Sequence, residues 1–150
     1  MRSIRGDEKF EEMIRNLSHP VTGKPIFPTM RELICFAAVL GFEHGKRAEL
    51  NGKTFEVVGG RIFEGSSLAM DLLYLIALAS EKNADILRDE EPMLKIFEEY
   101  AHGGLEILHG WLREKPEDIN GDKAILEALH KYNFLAVRDD TPVAEEKIAF

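Results

Sequence analysis

A chain of 150 residues with 45% hydrophobic and 31% charged side chains carries enough apolar material for one substantial core, which argues against disorder and predicts a single domain over 1–150. The net charge of −8 argues against a dedicated nucleic-acid binder, whose phosphate contacts need a cationic face. No apolar run reaches the roughly 18 residues of a membrane span; the N-terminal MRSIRGDEKFEE lacks a secretory leader's apolar stretch, and a lone Cys35 fits a reducing cytoplasm.

The charge is unevenly spread. Residues 1–62 hold ten Lys/Arg against eight Asp/Glu, and residues 63–150 hold nine against nineteen. An anionic ligand would find its cations only in the first half.

Asp7 to Leu17 reads as an amphipathic helix, with Phe10, Met13, Ile14 and Leu17 on one stripe. Pro20 ends it, and the prolines and glycine between His19 and Pro28 predict an irregular connection. Thr29 followed by Glu32 has the spacing of a capping box, which satisfies orphan backbone donors at a helix start. The helix it opens, Met30 to about His44, is apolar on every side, and such a helix belongs in a core. Cys35, with no charged neighbour to lower its pKa, reads as a core residue there and not a nucleophile.

Asn51-Gly52 lies between Lys46–Leu50 and Lys53–Val58, and this dipeptide predicts a β-hairpin in the region 46–63. A third short strand over Arg61-Ile62-Phe63 would follow Gly59-Gly60. Ser66 or Ser67 then caps a second helix that is apolar all round, Leu68 to about Glu81, with Asp71 its single internal charge. Pro92 suits the first turn of a long helix reaching about Lys115, behind the acidic Asp89-Glu90-Glu91. Asp122 to Tyr132 predicts a last amphipathic helix, and the tail 133–150 has no clear period. The expected architecture is a mainly α bundle of about five helices. Helices 30–44 and 68–81 are its buried centre, and a small hairpin lies on one edge. Two all-apolar helices in so small a domain leave room for a second subunit to cover one of them.

Glu98, His102, Glu106 and His109 fall within about 80° on the long helix. Glu106-x-x-His109 has the spacing of half a di-iron carboxylate site, but no second Glu-x-x-His exists to complete it. The plain reading is a polar helix face with no metal, cofactor or catalytic residue. Gly103-Gly104 sits mid-helix, where each glycine costs roughly 0.8–1 kcal/mol against alanine. Glu98, Glu99, His102, Gly103 and Gly104 are therefore the candidates for close packing or partner contact. Gly104 is expected to face inward and Gly103 to lie nearer the edge. Arg31, Lys46, Arg47 and Arg61 are the candidates for anion or DNA contact.

Three stretches, IFPTMRELICFAAVLGF (Ile26 to Phe42), LAMDLLYLIALA (Leu68 to Ala79) and IFEEYAHGGLEIL (Ile96 to Leu108), resemble DNA phosphorothioation-associated protein 4, the Dnd system-associated protein 4 family. The resemblance spans roughly residues 9–112 and carries no catalytic signature. It implies the context of a Dnd-type modification or restriction defence system, and together with the absence of a catalytic constellation and the glycine pair it leads to the expectation of a non-catalytic accessory or adaptor protein. Its partners would be that system's protein components, with DNA reached only indirectly. The alternatives are a DNA-binding regulator using the more basic N-terminal half and, more remotely, a metal-dependent enzyme on the Glu98–His109 face.

Overall fold

The computed structural model describes residues 1–21, 23–118 and 121–132. Strand β1 (Ile4–Asp7) leads through a 3-10 turn at Glu8–Phe10 into α1 (Glu11–Ser18), and the central helix α2 (Met30–Glu43) follows. Strand β2 (Thr54–Val58), a short α3 (Gly60–Glu64) and α4 (Ser67–Glu81) come next. A 3-10 turn at Ala84–Arg88 precedes the long α5 (Glu90–Arg113), and α6 (Asp122–Lys131) is the last described element. The expected tail 133–150 lies outside the described residues.

Helix α2 starts where its cap predicts. Thr29 is extended, and its hydroxyl accepts from the Glu32 N–H at 3.1 Å. Ser66 does the same for α4 through the Ala69 N–H at 3.2 Å. Pro92 stands in the first turn of α5, where its missing N–H is harmless.

The bundle is centred on α2 and α5, which approach closely enough that glycines are required on both. A methyl group on Gly104 would lie 1.7 Å from the Ala37 carbonyl oxygen, and one on Gly41 would lie 2.0 Å from that of Tyr100. Ala37 and Gly41 are one turn apart on α2, as Tyr100 and Gly104 are on α5. Each helix therefore presses a carbonyl onto the other's bare glycine, in position to accept a Cα–H contact. Gly103 is equally crowded, with the Lys46 carbonyl 2.0 Å from where a Cβ would stand. It therefore does not lie at an open edge: the missing side chain lets the segment after α2 lie on α5, where the Ala48 N–H donates to the Glu99 carbonyl at 3.1 Å.

That segment explains why the predicted hairpin pairing does not form. A small antiparallel sheet is present, but β2 pairs with β1, in the register Ile4↔Val58, Arg5↔Glu56, Gly6↔Phe55 and Asp7↔Thr54. Residues 46–50, polar and poor in β-formers, are claimed by α5. Ile4 instead buries completely beside Val57 and Val58. Gly59-Gly60 leads into α3 and not into a third strand, which places Phe63 edge-on against Phe97 with ring centroids 5.4 Å apart. The N-terminal amphipathic segment likewise divides: Asp7 closes β1, and only Glu11–Ser18 is α-helical.

Helix α4 is as apolar as α2 but is not enclosed like it. Ala69, Leu73, Ile76 and Ala77 are buried, whereas Leu68 is 68% and Leu75 59% exposed. The enclosed pair is α2 and α5, because only there do glycines on both helices allow contact between backbones.

Two stability measurements follow. Gly104→Ala is expected to destabilise by at least about 1–3 kcal/mol, because the obstacle is backbone locked inside α2. Gly103→Ala should cost less, since the Lys46 segment is irregular and can yield; urea titration giving the reverse order would contradict this account. Thr29→Ala should cost about 1 kcal/mol through loss of the cap, and an unchanged thermal midpoint would show that the cap contributes nothing.

Candidate functional site

The ionisable side chains of α5 form a seam beside the glycine notch. Glu98 and Glu99 are both buried, and burying a carboxylate is costly unless charge and hydrogen bonds offset the lost hydration. Glu98 faces β1. It accepts from the Arg2 guanidinium through both oxygens, at 2.8 and 2.9 Å, and from the Arg5 backbone N–H at 2.6 Å. Arg2 also reaches Glu91, whose carboxyl it holds below the usual range through that hydrogen bond. Glu99 points away to the segment after α2, where Arg47 meets it at 2.9 Å while lying over the Tyr100 ring.

One turn further on, His102 packs against Phe10 with ring centroids 5.5 Å apart, and its Nε2 lies 3.3 Å from Glu106. Nδ1 is buried with no hydrogen-bond partner among the described residues. Protonation would place a second N–H there with nothing to receive it. Burial accordingly pushes the imidazole pKa down, against an opposing pull from the Glu106 carboxylate. Glu106 is itself held below its ordinary value, chiefly by the hydrogen bond from Lys46 at 3.0 Å. His109 is exposed, and its ring is tilted against Phe10 with centroids 5.9 Å apart.

The face predicted from spacing is thus real, but its members engage different groups. Glu98 turns to Arg2, Glu99 to Arg47, and His102 to Glu106. Among the described residues no three His, Cys, Asp or Glu side chains converge to hold a metal ion. The four basic candidates also separate. Arg31 donates to the Ile62 carbonyl at 2.7 Å, Lys46 is bound to Glu106 and Arg47 to Glu99, while Arg61 is exposed with no ion pair among the described residues. Cys35 is buried, and loss of hydration raises its thiol pKa to about 11, which makes it unreactive as a nucleophile.

Residues that local patterning did not single out are Arg2 and Arg5. They border a cleft of about 400 Å³ together with Thr54, Lys95, Glu98 and Glu99. Arg5 is fixed there by Thr54, whose carbonyl accepts from the guanidinium at 2.9 Å. Glu98 has three donors on its two oxygens, so the cleft holds it as a fastening for β1. The only available signal was charge complementarity between residues more than ninety positions apart, which no periodicity reveals.

The histidine gives a pH test. Its folded-state pKa lies below the unfolded value, so on acidification the unfolded chain takes up the proton first. The associated stability is complete above the unfolded pKa of about 6.5 and is lost as pH falls towards the folded value. His102→Gln, which removes the titrating ring and keeps a polar side chain there, should flatten the decline in urea midpoint between neutral pH and mild acid. An unchanged slope would assign that decline to other groups.

No helix among the described residues is long and apolar enough to cross a membrane. No curated protein and no solved structure matches the chain. A family model described as DNA sulphur modification system-associated protein 4 matches residues 3–145. The match reaches beyond the 9–112 of the sequence resemblance and takes in β1 with Arg5, whose backbone N–H meets Glu98, while Arg2 lies just outside it. The chain therefore belongs to the family of DNA sulphur modification system-associated protein 4 and is associated with such a system.

Proposed function

We propose that the protein is a non-catalytic accessory that holds protein components of a DNA sulphur modification system together, in the cytoplasm and in a defence setting. The observation that carries this reading is an inversion of the usual arrangement around a reactive site. The side chains capable of chemistry, Glu98, Glu99, His102 and Glu106, are directed to ion pairs and packing within the fold. Apolar side chains of α4, with Val39 and Phe42 of α2, stand in solvent instead. Large apolar side chains left in solvent on the outer face of a helix are the kind of surface that contacts another protein. Lys46 and Arg47, held by Glu106 and Glu99, weigh against the reading as a DNA-binding regulator.

Affinity recovery from a host carrying the sulphur modification genes tests the proposal. The tagged chain should bring down components of that system, and Leu75→Glu, at an exposed position that leaves the fold intact, should reduce the yield severalfold. Recovery of none of them at low salt would overturn it. So would a low-salt gel shift in which the purified chain binds DNA directly, with affinity falling steeply as salt rises.

A further inference from the structure

A second cleft takes no part in fastening the fold. It lies between α1 and the last turns of α5 and measures about 390 Å³, a volume in the range of small-molecule sites. Met13, Leu17 and Leu112 give it an apolar floor. At one end the Phe10 ring contacts both Lys9 and His109, with Nζ 5.1 Å and the imidazole centre 5.9 Å from its own. Arg113, four residues on, is the neighbour of His109 on the helix surface. Gly121 closes the other end. A methyl group there would lie 2.5 Å from Leu112, so only bare backbone, at φ 77°, brings the turn before α6 against that wall.

The polar groups around this floor have bonding capacity to spare. The side chains of Glu12, Asn16 and Arg113 make no ion pair or hydrogen bond among the described residues. Lys9 reaches only Glu106, at 3.9 Å, a carboxylate that Lys46 already holds at 3.0 Å. Asp118 gives one oxygen to the Ala124 N–H at 2.9 Å, and its other oxygen has no donor among the described residues. Lys9, His109 and Arg113 thus offer N–H groups towards the Phe10 end. Asn16, beside Leu17, and Asp118, whose carbonyl accepts from the Gly121 N–H, offer acceptors towards the other.

A ligand that satisfies both ends carries an anionic group, a flat body for the floor and hydrogen-bond donors beyond it. We propose that the α1–α5 cleft binds a free nucleoside monophosphate. Its phosphate meets Lys9, His109 and Arg113 through charge-assisted bonds, its base covers Met13 and Leu112, and its amino group faces Asn16 and Asp118. Adenine suits Asn16 best, because one amide can pair with the donor and the acceptor on its edge. Glu12 opposes a bare inorganic anion but can accept from ribose hydroxyls. The net charge of −8 disfavours a nucleic-acid strand with its many phosphates, so the free nucleotide is the ligand. The site goes beyond the accessory reading and does not depend on it.

Isothermal titration calorimetry of the full chain tests the site. AMP should bind saturably with a Kd below about one millimolar. Adenosine and inorganic phosphate, each lacking one half of the ligand, should bind about tenfold more weakly or less. Arg113→Glu, at an exposed position, should weaken AMP binding about tenfold or more. Asn16→Leu should weaken it severalfold, and Lys123→Gln, an exposed charge outside the cleft, should leave it unchanged. Circular dichroism identifies any variant that has lost the fold. No heat of binding with AMP at millimolar concentration overturns the proposal, as does full affinity in Arg113→Glu. Inorganic phosphate bound as tightly as AMP shows an anion site that ignores the floor, and overturns it too. So does a short DNA strand with a terminal phosphate that binds as tightly as AMP, because the ligand is then a strand end and not a free nucleotide.

Discussion

The fold depends on one contact, the crossing of α2 and α5 at Gly41 and Gly104. Each glycine receives the carbonyl of the other helix where a Cβ would stand, so neither helix can be moved independently. The loss of helix propensity at these positions is offset by short-range dispersion and Cα–H contacts between backbones, which longer side chains would hold apart. Around this axis the remaining elements need only one apolar face each. Leu33, Phe63, Leu94, Phe97, Leu105 and Leu108 fill the space with almost no exposure.

Charge fastens the periphery to that axis. Glu98 grips the strand that opens the chain, and Glu99 grips the segment that leaves α2. Neither carboxylate could be buried alone, so each marks where a distant piece of chain must dock. The polar face of α5 is in this sense an assembly device for the monomer. It explains how so many ionisable groups can crowd one helix without forming a reactive centre.

How much of this was legible in the residues varies with the range of the interaction. Thr29, Ser66 and Pro92 mark helix starts through contacts made within a few residues, and those starts are where the local chemistry puts them. The apolar character of α2 and α4 was equally plain. Enclosure was not, because it depends on what packs alongside: α4 has no partner glycine and leaves Leu68 and Leu75 in solvent. Asn51-Gly52 is a strong turn signal, yet a turn does not choose the strand that returns. Ile4 outcompeted residues 46–50 because it could be buried and they were held by α5. Of the candidate site, the unusual stretch from Glu98 to Gly104 stood out in the sequence. The partners Arg2 and Arg5 did not, and Arg47 was marked only as an anion contact, since ion pairs between distant residues leave no trace in local pattern.

The long reach of β1 bears on the order in which the molecule can form. During synthesis this strand has no edge to join until β2 appears some fifty residues later, and no carboxylate to grip until α5 is made. Contacts so far apart in the chain are slow to close. The nascent polypeptide therefore carries Ile4 and two arginines unsheltered until α5 is made, and a segment synthesised well before its partners is among the last to be locked in place.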